Sequence, residues 1–130
     1  MKTMKLGYVI QYVPDVEKAV AFYEKAFGIE RQFVHEGGQF AQMNTGATAL
    51  AFCSEELAAE GCSFEPVRLE RKGPGIEIGF LSDQVEAAFD RAVSAGATPV
   101  LAPIKKPWGQ TVAYVRDLNG FLVEMCTPMG

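Results

Sequence analysis

Glu77 and Glu124 are the side chains whose type and spacing most invite chemistry. Both lie in short alternating apolar stretches, where successive side chains of a strand point to opposite faces. In 76–81, Ile76, Ile78 and Phe80 form an apolar row, so Glu77 and Gly79 turn the other way. In 121–127, Phe121, Val123 and Met125 form the row and leave Leu122, Glu124 and Cys126 opposite. Two carboxylates held close cannot both ionise cheaply, so one keeps its proton to a higher pH unless a cation sits between them. That chemistry suits a general acid/base or a host for a cationic ligand. The plainer alternative is that each glutamate is satisfied by an arginine or by a tyrosine hydroxyl, with Tyr8, Tyr12 and Tyr114 as candidates.

The other reactive side chains point less clearly. Cys53, Cys62 and Cys126 make an odd number with no CxxC pair, which predicts thiols in a reducing, cytoplasmic compartment. Cys53 and Cys126 read as small hydrophobes lining a cavity, with a thiolate site as the alternative. Trp108, the single tryptophan, lies in KPWGQ at a turn, where its ring could stack on a planar or cationic ligand or simply plug a hydrophobic opening. His35, the single histidine, precedes a Gly-Gly turn and reads as a surface or hairpin residue. No nucleophile elbow accompanies it, so Ser/His/Asp chemistry finds no support. GGQF and GPGI are turns rather than phosphate loops.

These residues need elements to position them. Tyr8–Val13 is β-branched and aromatic, as a strand should be. Pro14 ends it and Asp15 is a good N-cap. Val16, Ala19, Val20, Tyr23, Ala26 and Phe27 recur at helical spacing up to Gly28. Strands are then expected at 31–35, 40–43 and 47–53. Ser54 should cap a short helix through Ala59, and 64–69 should be extended, an edge strand leaving the first module being one form this could take. ERKGPG, residues 70–75, is the best linker in the chain.

The second half repeats this order. A strand over 76–81 leads to Asp83 as N-cap, with Glu86 completing a capping box. Val85, Ala88, Phe89, Ala92 and Val93 form the helical stripe, ended by Gly96. An edge strand follows over 98–104, marked by Pro99 and Pro103. Strands over 110–115 and 121–127 flank the turn 116–120. Tyr8, Val16, Glu17 and Ala19 align with Glu77, Val85, Glu86 and Ala88 at one constant offset. Ala51 and Cys53 align with Glu124 and Cys126 at another. Matching element order across both halves points to an internal duplication.

Composition bounds the rest. A chain of 130 residues, 48% hydrophobic and 22% charged, fits one globular domain or two small modules sharing a core. A net charge of −4 with pI near 5.0 argues against nucleic acid as the partner. No apolar run reaches a membrane span, and the N-terminus lacks the cleavage pattern of a signal peptide.

The segments VPDVEKAVAFYEKAFG, IEIGF…VEAAFDRAVSAGA and KPWGQTVAYVRDLNGFLVEM resemble the vicinal oxygen chelate superfamily over nearly the whole chain. That superfamily includes glyoxalase I, extradiol dioxygenases, fosfomycin-modifying thiol transferases and bleomycin-resistance proteins. The resemblance implies an α+β fold of two βαβββ modules, residues 5–69 and 76–130 joined by 70–75, curling into a half-open mixed barrel around a cavity. It also implies a homodimer in many members. Its metal-dependent members place ligands on the first and fourth strand of each module, which here are Tyr8, Ala51, Glu77 and Glu124. Ala51 cannot ligate and Tyr8 is a rare ligand, so a divalent ion, if held, would rest on Glu77 and Glu124.

Residues and resemblance together predict a protein that binds a small aromatic or cationic molecule and uses no cofactor or catalytic metal. Glu77 and Glu124 would form the polar floor, with Tyr8, Tyr12 and Trp108 as aromatic walls. The competing reading is a metal-dependent glyoxalase-like lyase, thiol transferase or dioxygenase with a degenerate ligand set. No nucleic acid or membrane partner is expected.

Overall fold

A computed structural model describes residues 3–129. Its elements run β1 (Tyr8–Val13), α1 (Val16–Phe27), β2 (Arg31–Val34), β3 (Phe40–Met43), β4 (Ala49–Ser54), α2 (Glu55–Ala58), β5 (Glu77–Leu81), α3 (Val85–Ser94), β6 (Thr98–Lys105), β7 (Thr111–Arg116) and β8 (Leu122–Cys126). The strands form two four-stranded mixed sheets, ordered β1-β4-β3-β2 and β5-β8-β7-β6, and neither sheet is closed. Each is the α+β module expected from the sequence. The chain divides into two compact units, Met1–Glu24 with Gly28–Pro66, and Lys25–Phe27 with Val67–Gly130.

In the first module, Asp15 caps α1 by accepting the Lys18 N–H at 3.1 Å. At the far end Gly28 adopts φ 68° and donates its N–H to the Glu24 carbonyl, the left-handed stop that glycine makes at least cost. The helix buries Val16, Ala19, Val20 and Tyr23. Tyr23 reaches β1 and β4 together: its hydroxyl donates to Gln11 Oε1 at 3.5 Å, and its ring lies 5.0 Å from that of Phe52. This settles which way β1 faces, which its own sequence left unclear. Gln11 is buried beneath the helix with the Tyr23 hydroxyl as a polar partner, and Tyr8, Ile10 and Tyr12 occupy the opposite, open face.

The registers of the two modules repeat each other. The parallel pairs Tyr8↔Ala49, Ile10↔Ala51 and Tyr12↔Cys53 of β1/β4 correspond to Glu77↔Leu122, Gly79↔Glu124 and Leu81↔Cys126 of β5/β8. The antiparallel pair Gln42↔Ala51 likewise corresponds to Tyr114↔Glu124. Because side chains alternate with a period of two, these matches put Tyr8 and Ala51 in the places that Glu77 and Glu124 occupy in the second module.

Two local expectations fail for identifiable reasons. α3 starts at Val85 with Gln84 at the cap position and no side-chain cap, so the Asp83–Glu86 capping box does not form. The Ser82 hydroxyl accepts the Gln84 N–H at 3.0 Å instead, a tight turn that moves the helix start beyond the reach of Asp83. Residues 64–69 form no strand. The Arg68 and Leu69 carbonyls accept from the Arg116 guanidinium at 2.9 and 3.0 Å, and so do not serve a ladder.

That arginine belongs to a clasp over the β7–β8 turn. Arg116 Nε also donates to the Gly120 carbonyl at 3.0 Å. Buried Asp117 accepts the N–H groups of Asn119, Gly120 and Phe121 through Oδ1. Gly120 sits at φ 104°, and a Cβ there would lie 2.9 Å from the Arg68 backbone. The turn that sets the β7/β8 register is therefore fixed from both sides.

Candidate functional site: a carboxyl pair on β5 and β8

Glu77 opens β5 and Glu124 lies mid-way along β8, on the sheet face turned away from Phe80 and Met125. Gly79 is the register partner of Glu124, and a Cβ at Gly79 would meet Glu124 Oε1 at 3.8 Å. With no side chain between them, the two carboxyls lie along one line of the face, near enough to act on each other's protonation. Proton sharing with the Glu124 carboxyl, then burial, then the Glu124 charge push the Glu77 carboxyl up to about 7. Near neutral pH the pair therefore holds a proton that an ordinary carboxylate would have lost.

Tyr114 on β7 lies directly across from Glu124. Burial, followed by the Glu124 and Glu77 charges, raises its hydroxyl above the ordinary tyrosine value. It remains a neutral donor. Cys126 is buried two residues beyond Glu124, and burial followed by the same two charges pushes its thiol up. It is thus a neutral, weakly polar wall rather than a nucleophile. Glu77 is exposed and Leu81 is 69% exposed. Together these five side chains combine a proton reservoir, a phenolic hydroxyl and an apolar border, open to solvent on one side.

The remaining predicted residues sit on other elements. Trp108 is 63% exposed in the turn before β7, where its indole N–H donates to Gln110 Oε1 at 2.9 Å and Lys106 Nζ stands 6.0 Å from its ring. Tyr8 is 58% exposed on edge strand β1. Tyr12 packs on Phe64, with centroids 4.8 Å apart, and its hydroxyl meets Cys62 Sγ at 3.7 Å. Tyr8 and Tyr12 share the open face of the first sheet with Phe40, the register partner of Cys53. Phe40 in turn packs near Phe33 and His35, so His35 is held within a hairpin of aromatic rings.

In the sequence Tyr114 stands only as a partner that could satisfy a glutamate, and its place as a member of the site was missed. Counting inward from the turn would have found it. Arg116 opposite Leu122 makes Tyr114 opposite Glu124, given an antiparallel hairpin closed by Asp117–Gly120.

The Glyoxalase/Bleomycin resistance protein/Dioxygenase superfamily model matches residues 5–125, and the chain belongs to that superfamily. It is 27% identical over 124 residues to the uncharacterized protein YraH of Bacillus subtilis (strain 168), covering 94% of this chain and 97% of that protein. Its fold is similar to that of a glyoxalase-related enzyme from Fulvimarina pelagi, with TM-score 0.83 and 18% identity over 97% of this chain and 89% of that one. TioX from Micromonospora sp. ML1 is also similar, with TM-score 0.72 and 24% identity over 95% of this chain and 98% of that one.

The family's metal sites can be tested against these residues. Ala51 offers no donor atom and is fully buried. Glu77 and Glu124 are the two carboxyl-bearing positions of the four, and they face each other across Gly79. Among the described residues no group of three or more His, Cys, Asp or Glu gathers in a way that could hold a metal ion. A catalytic divalent ion usually takes about three protein ligands, so this donor set does not fit one.

Proposed function

We propose that the protein binds a small aromatic or cationic molecule on the open faces of its sheets and carries out no metal-dependent chemistry. The observation that carries this reading is the Glu77–Glu124 carboxyl pair on one face across Gly79, with Tyr114 as the register partner of Glu124. Below about pH 7 the pair offers both a donor and acceptors. Near and below that value the singly protonated pair carries one negative charge, and above it two, at a site open to solvent. A ligand ammonium, amidinium or ring N–H fits that arrangement, because a cation replaces the shared proton as the group that lets both carboxyls coexist.

The open face of the first sheet supports the aromatic half of the reading. Tyr8, Tyr12 and Phe40 present aromatic rings on that face above the buried Ala49, Ala51 and Cys53, rings suited to stacking on a planar ligand. Trp108 adds an exposed ring in the second module, already beside a lysine in the way an exposed indole receives a cation. We further propose a cytoplasmic homodimer. Among the described residues no helix is long and apolar enough to cross a membrane, and the edge strands β1 and β5 expose Tyr8, Ile10 and Leu81.

The test is calorimetric titration with a panel of aromatic monocations, benzamidine among them, against the wild type, Glu77→Gln and Glu124→Gln. The reading predicts binding that tightens as pH rises through about 7 and weakens at least about tenfold in either variant, the scale set by losing one charge-assisted hydrogen bond. Equal affinity in all three proteins, or none of the panel binding, overturns it.

A further inference from the structure

The helix side of the second sheet carries a cleft that the carboxyl site does not use. Phe80 and Met125, register partners on β5 and β8, turn away from Glu77 and Glu124. Together with Phe27, Ala87, Ala88 and Arg91 they line a cleft of about 310 Å³. All six belong to the second compact unit. The rings of Phe27 and Phe80 pack with centroids 5.3 Å apart and make one aromatic wall. Ala87 and Ala88 sit on α3 one turn before Arg91, on the same face of the helix. Arg91 Nε donates to the Lys25 carbonyl at 2.9 Å, which holds the exposed guanidinium beside the cleft. Among the described residues that line the cleft, Arg91 carries the charge and none is acidic.

The internal duplication supplies a comparison. At the offset that pairs Val16 with Val85, Phe22 stands where Arg91 stands and Ala19 where Ala88 stands. The register pair Gln11↔Phe52 likewise answers Phe80↔Met125. In the first module all four of these residues are buried, the Phe22 ring included. In the second, Phe80 and Ala88 are half-buried and Arg91 is exposed. One module closes this layer with an aromatic ring, and the other leaves it open beside a guanidinium.

We propose that this cleft is a second binding site, which takes a small apolar carboxylate of about the size of benzoate. The carboxylate accepts from the Arg91 guanidinium, whose planar fork matches two carboxylate oxygens. The apolar part lies against Phe27, Phe80 and Met125, with the alanine methyls of α3 leaving it room. An apolar wall with one orienting polar group is the usual make-up of a small-molecule site. The volume falls at the low end of such sites, about 300–1,000 Å³, and limits the ligand to one ring or a short alkyl chain. The sign of the charge separates this site from the carboxyl pair, which suits a cation. The two sites therefore stand or fall independently.

The experiment titrates the isotopically labelled full-length protein with sodium benzoate and follows the backbone amides by NMR. Benzamide, of the same shape without the charge, is the control. The proposal predicts saturable shifts centred on Phe80, Ala87, Ala88 and Arg91, and benzamide binding about fivefold or more weaker. Arg91→Gln should weaken benzoate by a similar factor, the scale of one exposed guanidinium–carboxylate pair. Ala87→Phe, at an exposed helix position, should fill the cleft and abolish the shifts with Arg91 intact. Its result stands even if Arg91→Gln, which loses the Lys25 contact, fails to fold. Equal binding of benzoate and benzamide, shifts centred on Glu77 and Glu124, or no saturable shift at millimolar benzoate would each overturn the proposal. So would movement of the cleft amides on dilution of the protein alone, because a second copy would then be what covers the cleft.

Discussion

At the scale of single residues, the proton held by Glu77 and Glu124 has a consequence for stability. An ordinary glutamate has a value near 4.5, whereas Glu77 is pushed up to about 7 in the folded chain. Between those values the folded state binds a proton that the unfolded chain releases. The contribution is therefore fully present below about 4.5 and is lost as pH rises through about 7. Glu77→Gln and Glu124→Gln should each remove this dependence, raising the melting temperature relative to wild type above pH 7. Melting curves taken on both sides of that value check it, and parallel wild-type and variant profiles would contradict it. Glu24 works in the opposite direction. The Arg31 guanidinium hydrogen-bonds its carboxyl and lowers it, so that contribution is present above the ordinary carboxylate value and lost in acid. The Glu77 and Glu124 side of each strand was legible from alternation alone. Their closeness was not, because it depends on Gly79 leaving the space between them empty and on a register that only the folded sheet fixes.

At the scale of elements, start and stop signals were readable where one side chain acts alone. They were misread where two compete. Asp15 and Gly28 bound α1 as its sequence predicts, whereas Asp83 loses the start of α3 to the turn built by Ser82. Substitution separates these cases. Asp15→Ala should cost about 1 kcal/mol, the usual loss of an N-cap. Asp83→Ala should be neutral within about 0.5 kcal/mol, as for a surface position without a special contact. Denaturant unfolding of the two variants measures the difference, and equal losses would show that Asp83 caps after all. The Asp117 turn is a stronger case. Oδ1 accepts three backbone N–H groups and the residue is buried. Asp117→Ala leaves those donors without their acceptor and should cost about 3 kcal/mol or more, since each unsatisfied buried donor costs about 1–3 kcal/mol. Because this turn sets the β7/β8 register, the same variant should also displace Tyr114 from Glu124.

At the scale of the whole molecule, the duplication organises both fold and site. Two copies of one βαβββ plan share their registers, yet they carry different chemistry at equivalent places. Tyr8, Ala51 and Gln42 in the first module stand where Glu77, Glu124 and Tyr114 stand in the second. The repeat was visible in the chain because helix stripes and strand order survive substitution. The ligand was not, because its identity depends on what faces the open sheets. Exposed Tyr8, Ile10 and Leu81 on edge strands leave apolar area for a second copy to cover. Light scattering at micromolar concentration should return twice the 14.1 kDa chain mass, and a monomeric mass would remove the dimer.

The central claim is that β5 and β8 bring Glu77 and Glu124 into one proton-holding pair. Titration of the carboxyl carbons by carbon NMR tests it most directly. The pair predicts that Glu77 titrates near 7 in the wild type and returns toward 4.5 in Glu124→Gln. A Glu77 carboxyl that already titrates near 4.5 in the wild type would contradict the pair, and with it the site.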